Sequence, residues 1–111
     1  MKKKIKALIV EPAREPYPVE IEPSLQSLQG LIGGTIQAIY PFTDEVAVIA
    51  HDEGKLIGLP WNRPLRDEDG QIYDILVGTF LVVGLTEDDF GSLSDEMIRK
   101  YMEVFALENG I

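Results

Sequence analysis

Thr35-Ile36-Gln37-Ala38-Ile39-Tyr40-Pro41-Phe42, the turn residues Thr43-Asp44-Glu45, and Val46-Ala47-Val48-Ile49-Ala50 decide the fold class. Ile36, Ala38 and Tyr40 recur at every second position, which places them on one face of a strand over Thr35 to Phe42. Val46 to Ala50 is strongly β-prone and apolar on both faces, so it reads as a central strand. Asp52-Glu53-Gly54 turns the chain again, and Lys55 to Leu59 reads as a returning strand. Together these segments predict a meander of antiparallel strands.

Toward the N-terminus, Lys4 to Val10 is rich in Ile, Leu and Val and predicts a first strand. Glu11 to Pro18 holds Pro12, Pro16 and Pro18, which cannot donate ladder hydrogen bonds, so it reads as a turn or an edge. Val19 and Ile21 alternate with Glu20 and Glu22: a short, half-exposed strand hairpinned onto the first. Pro23 and Ser24 open a helix. Leu25, Leu28 and Ile32 share one of its faces, and Gly33-Gly34 ends it after about two turns.

Toward the C-terminus, Pro60-Trp61-Asn62-Arg63-Pro64-Leu65-Arg66 predicts an ordered loop, because its two prolines exclude a central strand. Asp67-Glu68-Asp69-Gly70 is a turn. Ile72 to Leu85 is long and apolar, and Gly78-Thr79 in its middle marks a bulge or a close backbone approach. Thr86 to Gly91 reads as an acidic loop. Ser92 or Ser94 then caps a last helix, in which Met97, Tyr101, Val104 and Phe105 form the apolar face. The segment order predicts one α+β domain over residues 1–111: a mainly antiparallel sheet with two helices packed on it.

Composition narrows the chemistry. The chain has 111 residues with no Cys, which excludes a disulfide scaffold, a Cys-ligated metal and thiol catalysis. The net charge is −9. Lys2, Lys3, Lys4 and Lys6 gather near the start, so the remaining 101 residues carry 6 basic and 19 acidic side chains. A body this acidic repels phosphates at long range, so direct nucleic-acid binding is not expected. Its acidity serves either solubility or imitation of nucleic acid toward a basic partner. The apolar run after Lys4 is too short for a signal peptide or a membrane span, so a cytoplasmic protein without a membrane partner is expected.

Catalytic and metal motifs are sparse. His51 is the only His, beside the turn Asp52-Glu53-Gly54, and reads as an exposed strand end. Aligning Gly70 with the sixth position of a calcium loop puts Leu65 and Leu76 where carboxylates belong, so that match fails. No Gly-Lys-Ser/Thr phosphate loop occurs. Neither a metal nor a cofactor is expected.

The strongest polar constellation is Trp61, Asn62, Arg63 and Arg66, with Gly78 and Thr79 downstream. The Arg fork grips phosphate bidentately, Trp61 offers a stacking plane, and Asn62 reads a base edge or a ribose hydroxyl. Gly78 lets a backbone N–H approach a ligand, and Thr79 adds a hydroxyl. Tyr40, Phe42 and Tyr73 are candidates to line the same pocket. The same residues also fit a purely structural role: Trp61 in the core, the Arg residues paired with Asp67, Glu68 or Asp69, and Asn62 capping a turn.

Ile5-Lys6-Ala7-Leu8, Glu11-Pro12, Ala38-Ile39-Tyr40-Pro41-Phe42, Gly54 to Pro60, Asn62-Arg63 with Leu65-Arg66, Asp74-Ile75-Leu76 with Gly78-Thr79-Phe80, and Phe90 with Ser92-Leu93-Ser94 form a recognisable set. Over nearly the whole chain it resembles the uncharacterised family catalogued as domain of unknown function 3846. The resemblance implies a protein of phages, plasmids or other mobile elements. It also implies that Asn62, Arg63, Gly78, Thr79 and Phe80 belong to shared blocks.

Three functions follow as expectations, in order. The first is a non-catalytic protein that binds a small phosphorylated ligand and sequesters a nucleotide immune signal of host defence. The second is an acidic, nucleic-acid-mimicking inhibitor of a host defence protein. The third is an enzyme such as a nucleotide phosphodiesterase built without His. The apolar Ile72 to Leu85 segment exceeds what two short helices cover, so a homo-oligomer, most simply a dimer, is also expected.

Overall fold

Lys6, Leu8 and Val10 alternate with Ile5, Ala7 and Ile9, and both sets beyond Lys6 are apolar, which is the pattern of a strand covered on two faces. The computed structural model describes residues 4–110, so Lys2 and Lys3 of the basic cluster lie outside the described residues. Strand β1 (Ile5–Val10) pairs antiparallel with β2 (Tyr17–Ile21) on one side and with β7 (Phe80–Leu85) on the other. Next to β7 lies β4 (Val46–His51), and β3 (Ile36–Ile39) forms the far edge. A two-residue strand, β8 (Phe90–Gly91), also pairs with β7. The sheet order is therefore β2-β1-β7-β4-β3, with every pair antiparallel.

Helix α1 (Leu25–Ile32) covers one face of this sheet, where Leu28 and Ile32 meet Ile5, Ala7, Ile9, Ala47, Ile49, Leu81 and Val83. Ser24 caps it by accepting a hydrogen bond from the Ser27 N–H at 3.2 Å. Gly33 closes it with φ 90°, a left-handed conformation that costs glycine little. Helix α2 (Asp95–Val104) lies on the opposite face. Tyr101 and the following Phe105 join Leu8, Val10, Val46, Val48, Phe80 and Val82 there. The Phe80 and Phe105 rings meet edge-on, 5.0 Å apart.

The second face has another cover. Strands β5 (Trp61–Arg66) and β6 (Ile72–Val77) form a separate two-stranded ribbon that inserts Leu65 and Leu76 into the same core. This corrects three expectations. Trp61–Arg66, most of the expected loop, is a strand. The rule against proline holds for central strands, whereas a ribbon leaves each strand one unpaired edge where a missing N–H is tolerated. The register shifts on both sides of the Arg63 to Leu65 stretch show the remaining irregularity. Ile72 to Leu85 is two strands in two sheets, divided at Gly78, whose φ of 69° turns the chain from ribbon to sheet. Lys55 to Leu59 is a series of turns, in which Ile57 N–H donates to the Glu53 carbonyl and Leu59 N–H to that of Gly54, each at 3.0 Å. The predicted meander thus stops after β4, whose next neighbour is β7.

Smaller corrections follow. The strand expected over Thr35 to Phe42 is only Ile36–Ile39, and Tyr40 lies beyond its end. The acidic loop ends in β8. Ser94, not Ser92, caps α2 by accepting from the Met97 N–H at 3.1 Å. Ser92 instead accepts from the Lys6 N–H at 3.0 Å and fastens the chain to the start of β1.

Asp44 in the β3–β4 turn anchors α2, accepting hydrogen bonds from Lys100 and from the buried Tyr101 hydroxyl, the latter at 2.7 Å. The Lys100 bond, followed by that of Tyr101, holds the Asp44 carboxyl below its usual range. Burial, reinforced by Asp44, pushes the Tyr101 hydroxyl up. A carboxyl depressed in the folded state stabilises it above the unfolded value of about 3.9, and that contribution is lost as pH falls through the depressed value. Asp74, held low chiefly by Lys55, acts in the same sense. The melting temperature is therefore expected to fall below about pH 4. Asp44→Asn should lower it at neutral pH and flatten the acid limb, which calorimetry across pH 2 to 7 measures.

Candidate functional site

Asn62 and Arg63 sit where β5 departs from regular pairing, and this turns both side chains inward. Arg63 is only 1% exposed. Its Nε donates to the Phe105 carbonyl at 2.9 Å, Nη1 to the Asn62 side-chain oxygen at 2.7 Å, and Nη2 to the Arg14 carbonyl. Asn62 donates through Nδ2 to the carbonyls of Val10 at 2.9 Å and Gly78 at 2.8 Å. One guanidinium and one carboxamide thus join the β1–β2 connection, the end of β1, the ribbon, the ribbon-to-sheet turn and the end of α2. Burial lowers the pKa of Arg63, and Glu15 opposes that effect in part.

Of the predicted ligand-binding residues, the structure brings Asn62, Arg63 and Gly78 together, with their polar atoms directed at other parts of the chain. Gly78 N–H donates to the Pro60 carbonyl at 2.7 Å, and a Cβ there would stand 2.7 Å from Leu59 Cδ1. Close packing and the left-handed backbone therefore account for this glycine. Thr79 is half-buried. Trp61, Arg66 and Tyr40 lie outside the network. Arg66 is exposed, and its Nη1 donates to the Gly70 carbonyl at 2.9 Å. Tyr40 is exposed beyond β3. Trp61 is 63% exposed on the outer face of the ribbon.

That outer face is an open surface. Trp61, Ile72, Tyr73, Ile75 and Val77 line a groove of about 400 Å³, with the Lys55–Asp74 ion pair at its side. The loop between β4 and β5 borders it and holds Leu56 and Ile57 out to solvent. Leu56, Ile57 and Ile72 were not among the candidates read from the sequence. The signal was present: Gly54 and Gly58 bracket the Leu56-Ile57 pair as a loop would. The reading of Lys55 to Leu59 as a returning strand hid it.

His51 ends β4 half-buried, and its Nδ1 accepts from the Glu53 N–H at 3.0 Å. A Cβ on Gly34 would lie 2.4 Å from its Nε2, so the ring packs flush against that backbone. Asp67 accepts from the N–H groups of Asp69 and Gln71, each at 2.9 Å, which organises the ribbon's turn. Among the described residues, no group of three His, Cys, Asp or Glu side chains is placed to hold a metal ion.

The family model for the domain of unknown function DUF3846 matches residues 5–106. This chain belongs to that family. The match takes in the whole β1 to α2 framework, including the Asn62–Arg63 clamp and the ribbon. No curated protein and no solved structure matches the chain.

Proposed function

We propose that this member of the family is a non-catalytic acidic inhibitor that occupies the nucleic-acid-binding surface of a basic protein. The observation that carries this reading is the state of its carboxylates. Among the described residues only Asp44, Asp74 and Asp95 have a cation within salt-bridge distance, so sixteen of the 19 acidic side chains have none. Glu20, Glu22, Glu87, Asp88, Glu96 and Glu103 are all exposed. An array of unpaired surface carboxylates presents to a basic partner the charge that a phosphate backbone presents. The phosphate fork expected of Arg63 is, by contrast, turned inward. In the mobile-element setting that the family resemblance implies, the partner is a nucleic-acid-binding defence protein in the host cytoplasm. No helix among the described residues is long and apolar enough to cross a membrane.

Displacement of a labelled DNA duplex from purified DNA-binding defence nucleases tests this. Release at about 50 mM salt that is lost by about 200 mM is the expected result, because charge-driven association weakens with screening. Glu87→Gln with Asp88→Asn should weaken displacement while preserving the fold. Asp89 is left unchanged because it accepts from the Phe90 N–H at 2.7 Å and shapes the loop. Failure to displace the duplex from any nuclease tested defeats the reading.

One observation favours the small phosphorylated ligand as a second reading: the exposed Trp61 plane and the Lys55 ammonium border the same groove. Titration with cyclic dinucleotides and ADP-ribose should then quench Trp61 emission, and a flat response across the panel retires it.

A further inference from the structure

We propose that the outer face of the β5–β6 ribbon, together with Leu56 and Ile57, binds a second copy of this chain. The inference is independent of the inhibitor reading. A two-stranded ribbon is marginal alone and needs cover. Leu65 and Leu76 give this ribbon cover on its inner face, while the outer face carries Trp61, Ile72 and Tyr73 into solvent. Leu56 is 85% exposed, Ile57 57% and Tyr73 55%. Two aromatic and three aliphatic side chains at such exposure present on the order of 500 Å² of apolar surface, at the upper end for a monomer. With its polar rim, the face approaches the roughly 800 Å² per partner of a standard interface.

The apolar tip is also held in place. The two backbone hydrogen bonds of its turns fix the loop. Val77 packs where a Cβ on Gly54 would stand 2.8 Å away, and Leu59 packs in the same way against Gly78. A pre-set tip loses little conformational entropy on docking.

Charge selects the occupant. The ion pair of Lys55 with Asp74 at the side of the groove is neutral in sum, so the apolar face itself offers a basic protein no net charge. At the turn end Arg66 stands among Asp67, Glu68 and Asp69, which supplies both signs. A two-fold interface needs such a self-complementary patch, because each group meets the symmetry copy of its own neighbours.

Sedimentation velocity from about 1 to 100 µM, at low and high salt, tests the proposal. The mass should rise with concentration from 12.4 kDa toward twice that value, with a blue shift of Trp61 emission. Salt should strengthen the association, because it screens two copies of charge −9 while apolar burial persists. This is opposite in sign to the salt response of the inhibitor reading, so the two can fail separately. Trp61→Ser with Tyr73→Ser, and separately Leu56→Ser with Ile57→Ser, should each weaken association at least tenfold at unchanged melting temperature. A monomer at 100 µM in both salts, a dimer indifferent to both double variants, or association only when a nucleotide is added would overturn the proposal.

Discussion

Arg63→Ala is expected to destabilise the protein by about 3 kcal/mol or more, among the largest effects of any single polar truncation in this chain. The substitution leaves the buried Phe105 carbonyl and Asn62 side-chain oxygen, and the part-buried Arg14 carbonyl, without their donor. Each buried acceptor left unpaired costs about 1–3 kcal/mol, less whatever water can enter to satisfy. In a domain of this size that loss lowers the melting temperature by at least roughly 10 °C. Arg63→Lys should recover only part of it, because one ammonium cannot reach three acceptors spread around a planar fork. Thermal unfolding of the three proteins without ligand decides the matter. An Arg63→Ala protein melting within a few degrees of wild type would mean that the guanidinium is solvent-facing and free for a ligand after all.

Gly84→Ala is expected to cost about 3 kcal/mol and to detach β8 from β7. A Cβ at Gly84 would lie 2.4 Å from the Ser92 carbonyl oxygen and 2.9 Å from its carbon. These are backbone atoms, so the clash cannot be relieved by turning a side chain. Relief requires residues 90 to 93 to withdraw, which also breaks the Ser92 contact with Lys6 and shifts the start of α2. Amide exchange should accelerate at Leu85 and Leu93, whose N–H groups donate to Glu45 and Lys6. Gly30→Ala is the matched control. It lies in α1 with nothing within 4 Å of the added Cβ, and it should stabilise by roughly 0.5–1 kcal/mol. Equal melting temperatures for the two alanine variants would contradict the packing described around Gly84.

The elements legible in the sequence were those whose causes are local. Ser24 and Gly33 mark the ends of α1 through bonds spanning a few residues, and Leu28 and Ile32 mark its buried side. The two-sided apolar pattern of Val46 to Ala50 identified an interior strand, and the Val19 to Ile21 alternation identified a hairpin partner for β1. Prolines misled the reading of β5, because their exclusion from strands depends on how many neighbours the strand has. The apolar residues of Lys55 to Leu59, read as a returning strand, misled in the opposite direction, since a few apolar residues fit a series of turns equally well.

The site shows the same division more sharply. Asn62-Arg63 and Gly78-Thr79 could be singled out from residue type and spacing alone, as could the acidic surplus. Whether Arg63 faces a ligand or the interior could not, because its acceptors at Arg14 and Phe105 lie 49 and 42 residues away. A guanidinium is buried only where the fold leaves several carbonyls unpaired around one point, and those carbonyls belong to segment ends brought together by sheet order. The exposed Trp61–Tyr73 face arises from the same cause. The chain alone determined an acidic α+β domain with two capped helices and a central apolar strand, because periodicity, caps and charge act over short range. Tertiary structure decided that β7 rather than Lys55 to Leu59 lies beside β4, that Pro64 sits in a ribbon, and that the Arg clamp is closed while the aromatic face is open, because each depends on which distant segments satisfy one another's hydrogen bonds and cover one another's apolar faces.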